Sequence, residues 1–73
     1  GRRSEARDAI EEALRIDGND PDLFALRGWL RFSASRWPEA LADADAGLAL
    51  DPDHVSCLNL RAQSLVMSRD RRA

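Results

Sequence analysis

The feature that most constrains this chain is its likeness to itself. Displaced by 34 residues, Glu5-Ala6 falls on Glu39-Ala40, and Leu14-x-Ile16-Asp17 falls on Leu48-x-Leu50-Asp51. Leu26-Arg27 falls on Leu60-Arg61, Gly28 on Ala62, and Phe24 on Leu58. The coincidences are few, but all keep one order and one register. A period of this length is the mark of a stacked array, in which one supersecondary unit recurs and each copy completes its neighbour's core.

Three turn signals divide the chain. They are Asp17-Gly18-Asn19-Asp20-Pro21, Ser35-Arg36-Trp37-Pro38 and Asp51-Pro52-Asp53-His54. Each joins a Pro or Gly to residues that cap helices. Between them the apolar residues recur at helical spacing and do not alternate. The stripes are Ala6, Ala9, Ile10, Ala13, Leu14, Ile16; then Leu23, Phe24, Leu26, Trp29, Leu30, Phe32; then Ala40, Leu41, Ala44, Leu48, Leu50; then Leu58, Leu60, Ala62, Leu65, Val66. The pattern predicts an all-α fold with four helices, roughly 4–16, 22–34, 38–50 and 55–69. Asp20 is placed to cap the second helix, with Pro21 at its first position, and Pro38 suits the start of the third. Arg7, Glu11 and Arg15 are spaced to pair along an exposed face of the first.

Composition closes off several function classes. The 73 residues hold one small domain at most, and a chain this short buries a marginal core. Its net charge is −2, and all 11 bases are arginine. A nearly balanced chain lacks the positive field that nucleic-acid binding requires, and the clusters Arg2–Arg3 and Arg69–Arg71–Arg72 read as solvated ends. One cysteine excludes an internal disulfide framework. No apolar run approaches the ~18 residues of a membrane span, and no signal peptide is expected from the Gly-Arg-Arg-Ser-Glu start. The cytoplasm is the favoured compartment. The missing initiator Met predicts that the chain is cut from a longer protein. The lysine-free, Ala- and Arg-rich composition is associated with GC-rich bacterial genomes.

Residues 21–54 resemble one complete tetratricopeptide repeat. Phe24 takes the family's opening bulky position and Gly28 its glycine, where a missing Cβ admits the partner helix. Ala40 takes the helix–helix contact alanine and Pro52 the closing proline. Trp37-Pro38-Glu39-Ala40-Leu41 resembles the usual start of the second helix, and Leu48-Ala49-Leu50-Asp51-Pro52 its usual end. Arg27 stands where an apolar residue is commoner, Arg31 where an aromatic is, Ala44 where a large residue is, and Gly47 where alanine is. In the same register residues 1–20 resemble the second helix of a preceding repeat, and residues 55–73 the first helix of a following one. The resemblance implies antiparallel helix pairs in an α-α superhelix across the single segment 1–73.

The chemistry-bearing residues carry weak signals. His54-x-x-Cys57 could offer two metal ligands, but a structural zinc site needs four and no second pair exists. A Cys–His nucleophile would need an orienting third group and a pocket. Cys57 matches Leu23 in the repeat register, which predicts packing. Asp43-x-Asp45-x-Gly47 lacks the remaining ligands of a calcium loop. No metal, cofactor or enzymatic activity is expected.

Function is expected from the surface that the resemblance implies. The first helix of each repeat in this family lines a concave groove for a peptide or partner protein. The matching positions are Asp22, Ala25, Trp29, Phe32, Ser33 and Arg36, then Ser56, Asn59, Gln63, Val66 and Met67. Ala25, Trp29 and Phe32 share one helix face. A Trp–Phe pair beside Asn and Gln has the make-up of a binding hot spot, though both rings could instead pack on the neighbouring repeat. Trp37 is expected in the core. One subclass of the family grips chain-terminal carboxylates through Lys and Asn; without lysine, and with Ala25, Trp29, Asn59 and Gln63 in the groove, that ligand does not fit. The expected role is a scaffold module. The alternative is a structural spacer or regulatory appendage of a larger protein, self-associating through apolar end helices. Ile10, Leu14 and Ile16 are expected to be exposed at one end, and Leu58, Leu65, Val66 and Met67 at the other.

Overall fold

The computed structural model describes residues 2–72, with the side chains of Arg3, Asp70, Arg71 and Arg72 not among those described. It is all-α. Four helices follow in order: α1 (Arg2–Ile16), α2 (Pro21–Ser33), α3 (Trp37–Leu50) and α4 (Val55–Arg72). The spacing-based boundaries hold at three of the four helices to within about two residues, and α4 runs on three residues past the expected 69. The Cα atoms fill a slab of 39 × 32 × 14 Å. Helix α2 packs most extensively on α3, α3 on α4, and α2 also meets α1 and α4.

Local chemistry sets the helix limits, and it repeats. The Asp17 carboxylate accepts from Asn19 N at 3.1 Å, and Asp51, 34 residues on, accepts from Asp53 N at 3.1 Å. Asp20 caps α2 by accepting from Asp22 N at 2.9 Å, with Pro21 opening the helix. His54 stands one period after Asp20 and does the same work with a ring nitrogen. Its Nδ1 accepts from Cys57 N at 3.2 Å and caps α4. The turn after α2 closes differently. Arg36 N donates to Arg31 O at 2.8 Å and Ser35 N to Phe32 O at 2.9 Å, with Ser35 at φ 63°. This is the paired closure that usually places glycine in the left-handed position.

The core forms where α2, α3 and α4 meet. Ala40, Ala44 and Leu60 are fully buried, and Trp29 and Phe32 pack against them from their half-buried positions. Small residues on α2 and α3 let the neighbouring helices close in. A Cβ on Gly28 would collide with the Leu60 side chain and come 3.1 Å from Asp43 Cβ. A Cβ on Gly47 would collide with Cys57 Sγ. Trp37 and Cys57 are buried, as expected for both; for Cys57 the expectation comes from the register.

Two expectations about the ends need correction. Ile10 was expected to be exposed but is buried, because it faces the cleft that α1 makes with α2 beside Leu26, Trp29 and Leu30. Leu14, Leu65 and Met67 are half-buried and not fully open. Ile16, Leu58 and Val66 are exposed, at 75%, 46% and 56%. The pairing expected along α1 also differs. Arg15 pairs with Glu12, Arg7 lies 3.7 Å from Asp8, and Glu11 reaches instead toward Arg27 on α2 at 3.9 Å.

Candidate functional site

The aromatic pair on α2 is the centre of the surface that sequence pointed to. Trp29 and Phe32 are three residues apart on one helix face, and their rings meet edge-to-face at 5.5 Å with an interplanar angle of 70°. Trp29 Nε1 donates to Ser56 Oγ at 2.9 Å, so the indole is tied to α4 across 27 residues of chain. That bond orients the ring and satisfies its only polar group. Both rings are half-buried: one flank packs on the core and the other meets solvent.

The other expected groove residues are placed unevenly around this pair. Asn59 and Gln63 are exposed on α4, and Met67 is half-buried beyond them. Gln63 and Met67 line a shallow apolar cleft with Ala62 and Val66, of about 270 Å³. Trp29 and Ser33 line a second one with Ala6, Ile10, Leu26 and Leu30, of about 280 Å³. Ala25 shares the face of Trp29, yet it is buried and offers no open surface. Ser33 turns its hydroxyl onto its own helix, donating to Trp29 O at 3.0 Å. Asp22 is exposed and its carboxylate engages His54 Nε2. Because His54 Nδ1 accepts from a backbone amide, Nε2 carries the proton and donates to Asp22. Arg36 pairs with Glu39 at the α2–α3 turn.

A second constellation was not legible as such. Asp43 on α3 is 2% exposed and takes two arginines from α2. Arg27 Nη2 reaches its Oδ1 at 2.7 Å, and Arg27 Nε lies 3.2 Å from both oxygens. Arg31 Nη1 donates to Oδ2 at 3.1 Å. The Arg27 guanidinium also stands 5.6 Å from the Phe24 ring centroid. Hydrogen bonding to Asp43 raises the Arg27 pKa above its ordinary value, against the opposing effect of burial. Arg27 and Arg31 are two of the positions where the sequence departs from the pattern it resembles, and both guanidinium groups engage Asp43.

No group of three or more His, Cys, Asp or Glu side chains among the described residues is arranged to hold a metal ion. Cys57 is fully buried, and its thiol lies 3.8 Å from Pro21 O. Burial, followed by the Asp22, Asp51 and Asp43 carboxylates, pushes its pKa up, away from the thiolate a nucleophile needs. No helix among the described residues is long and apolar enough to cross a membrane. Compared with protein-family models, curated proteins and solved structures, the chain matches none.

Proposed function

We propose that the chain is a protein-interaction module of tetratricopeptide type, which binds a peptide or partner protein along the face shared by α2 and α4. The observation that carries this reading is the fixed Trp29 indole. A large ring held by an edge-to-face neighbour and by Ser56 has lost its rotamer freedom before any partner arrives. Anchors of that kind convert contact area into affinity at low entropic cost. Exposed Asn59 and Gln63 on the adjoining helix add adaptable hydrogen bonds. The repeat register supports the same reading, since it puts Trp29 and Gln63 at corresponding positions of successive units.

Peptides selected on the chain from a display library test it. Binding should fall at least about tenfold with Trp29→Ala, which removes an aromatic anchor. Trp29 also packs on the core, so Gln63→Arg and Asn59→Ala serve as companions that leave the fold alone. Peptides that bind all three variants like the parent chain would sink the proposal.

The second reading, a spacer that associates with copies of itself, draws on the exposed Ile16, Leu58 and Val66. Its measurement is the molar mass by light scattering across a concentration series. A constant monomer mass removes it.

A further inference from the structure

The contact that builds the core has both of its halves repeated, in the open, on α4 and between α1 and α2. Inside the chain, α2 lays Trp29 and Phe32 on the cluster of Ala40, Ala44 and Leu60, which α3 and α4 form together. One period of 34 residues after Gly28, Trp29, Phe32 and Ser33 stand Ala62, Gln63, Val66 and Met67. These four line the shallow apolar cleft of about 270 Å³ on α4. One period before Ala40, Ala44 and Leu60 stand Ala6, Ile10 and Leu26. They line the cleft of about 280 Å³ between α1 and α2. Val66 and Leu26 are 56% and 53% exposed and Ala6 is exposed, whereas their counterparts Phe32, Leu60 and Ala40 are packed together. The two helix pairs also meet alike. Arg27 lies 3.9 Å from Glu11 and, one period on, Arg61 lies 3.1 Å from Asp45.

We propose that copies of the chain stack head to tail, α4 of one lying in the α1–α2 cleft of the next as α2 lies on α3 and α4 inside the chain. This rests on the self-association reading above and names its two surfaces. The junction continues an interface that the chain already makes. Volume is roughly kept: Val66 is smaller than Phe32, and Ile10 in the facing cleft is larger than Ala44. The polar contact carries over with donor and acceptor in order. Trp29 Nε1 donates to Ser56 Oγ; at the junction Gln63 holds the donor position and Asp22 of the next copy the acceptor position. Asp22 is 81% exposed, and its carboxylate has acceptor capacity beyond its contact with His54. The buried charges do not carry over, and none is stranded. Leu65 stands in the place of Arg31 and Ala9 in that of Asp43, while Arg61, in the place of Arg27, keeps Asp45 of its own chain. Ala62 needs more room than Gly28, whose added Cβ would collide with Leu60, but Leu26, in the place of Leu60, is half exposed and free to turn aside. The two faces differ, so the interface is heterologous and association runs past the dimer.

Sedimentation equilibrium of two blocked variants and of their mixture tests the pairing. Val66→Glu spoils the α4 face and Ala6→Glu the α1–α2 cleft; both residues are exposed, and circular dichroism checks that the helices persist. The average mass of the parent chain should rise past that of a dimer as concentration increases. Each variant alone should associate at least about tenfold more weakly, because stacking would bury its charge without a partner. Mixed, the two should form a one-to-one dimer and nothing larger, since each retains the face that the other has lost. Gln63→Glu, a surface change, sets a carboxylate against Asp22 and should also weaken stacking, and adding Asp22→Asn to it should restore the parent's association. A parent chain that stays monomeric overturns this pairing together with the self-association reading. Oligomers whose two blocked variants do not complement, or that Gln63→Glu leaves untouched, overturn the pairing and leave that reading standing. A dimer that Ala6→Glu leaves intact means that α4 meets α4 by two-fold symmetry, and overturns the pairing as well.

Discussion

Asp43 is buried beneath Arg27, and the two are joined by hydrogen bonds from Nη2 at 2.7 Å and from Nε at 3.2 Å. The forked arrangement is the strong form of an ion pair. Its consequence is asymmetric. A buried pair contributes little over a well-packed apolar pair, but removing one partner strands the other. Asp43→Ala leaves Arg27 and Arg31 facing each other over an empty space. We expect a loss of about 2–4 kcal/mol, read as a lower urea midpoint. The neighbouring pair is the control. Arg61 reaches Asp45 at 3.1 Å, but both side chains are at least half exposed, at 50% and 57%. Asp45→Ala should shift stability by no more than ~0.5 kcal/mol.

Gly28 is where α2, α3 and α4 come closest. An added methyl would meet the Leu60 side chain and lie 3.1 Å from Asp43 Cβ, with Ala40 O at 3.4 Å. Leu60 is fully buried and has little room to turn away. Alanine favours helix over glycine by about 1 kcal/mol, but overpacking a tight core costs about 1–3 kcal/mol. The crowding should win. Gly28→Ala is expected to lower the thermal midpoint, and a raised midpoint would show that α4 can shift outward at small cost.

Ser64 presents the opposite case. It is fully buried on α4 and its hydroxyl has no hydrogen-bond partner among the described residues. An unpaired buried hydroxyl costs about 1–3 kcal/mol, and alanine is also the better helix former. Ser64→Ala should therefore stabilise the chain by roughly 1 kcal/mol, seen as a higher urea midpoint with an unchanged slope. A destabilised variant would mean that the hydroxyl has a partner, such as an internal water.

The helices were legible because periodicity and caps are local. Asp20, Pro21 and Pro38 mark starts that the structure places within a residue, and Gly28 and Ala40 mark the close approach that their register implies. What stayed hidden was set by three-dimensional partners. Arg27 and Arg31 read only as charges where an apolar and an aromatic residue are commoner, because the carboxylate that receives them sits 16 and 12 residues away in a segment weighed as an incomplete calcium loop. The repeat register held a usable clue for His54, since it stands in the place of Asp20, a cap. Ala25 was misjudged for a different reason. Helical spacing assigns a residue to a face but does not say whether another helix covers it there, and Ala25 is buried.

Cys57 links stability to pH. Burial raises its pKa, with the Asp22, Asp51 and Asp43 carboxylates adding to the effect, so the folded chain holds the thiol proton more firmly than the unfolded chain does. An unfolded thiol ionises near pH 8.5. Below that value both states are protonated and the packing contribution is complete. Above it the unfolded state binds fewer protons, so stability falls as pH rises through the thiol range, with a slope below about 1.4 kcal/mol per pH unit, the limit for one proton. Urea melts between neutral and alkaline pH should show this decline, and Cys57→Ala should abolish it while adding a constant loss from the emptied contact with Gly47. The same burial makes the thiol inert. A thiol reagent should label Cys57 only at the rate at which the chain opens, and labelling should accelerate with urea. Immediate labelling of the folded chain, or an alkaline decline that persists in Cys57→Ala, would show that the thiol is not sealed between α2 and α3 as its complete burial indicates.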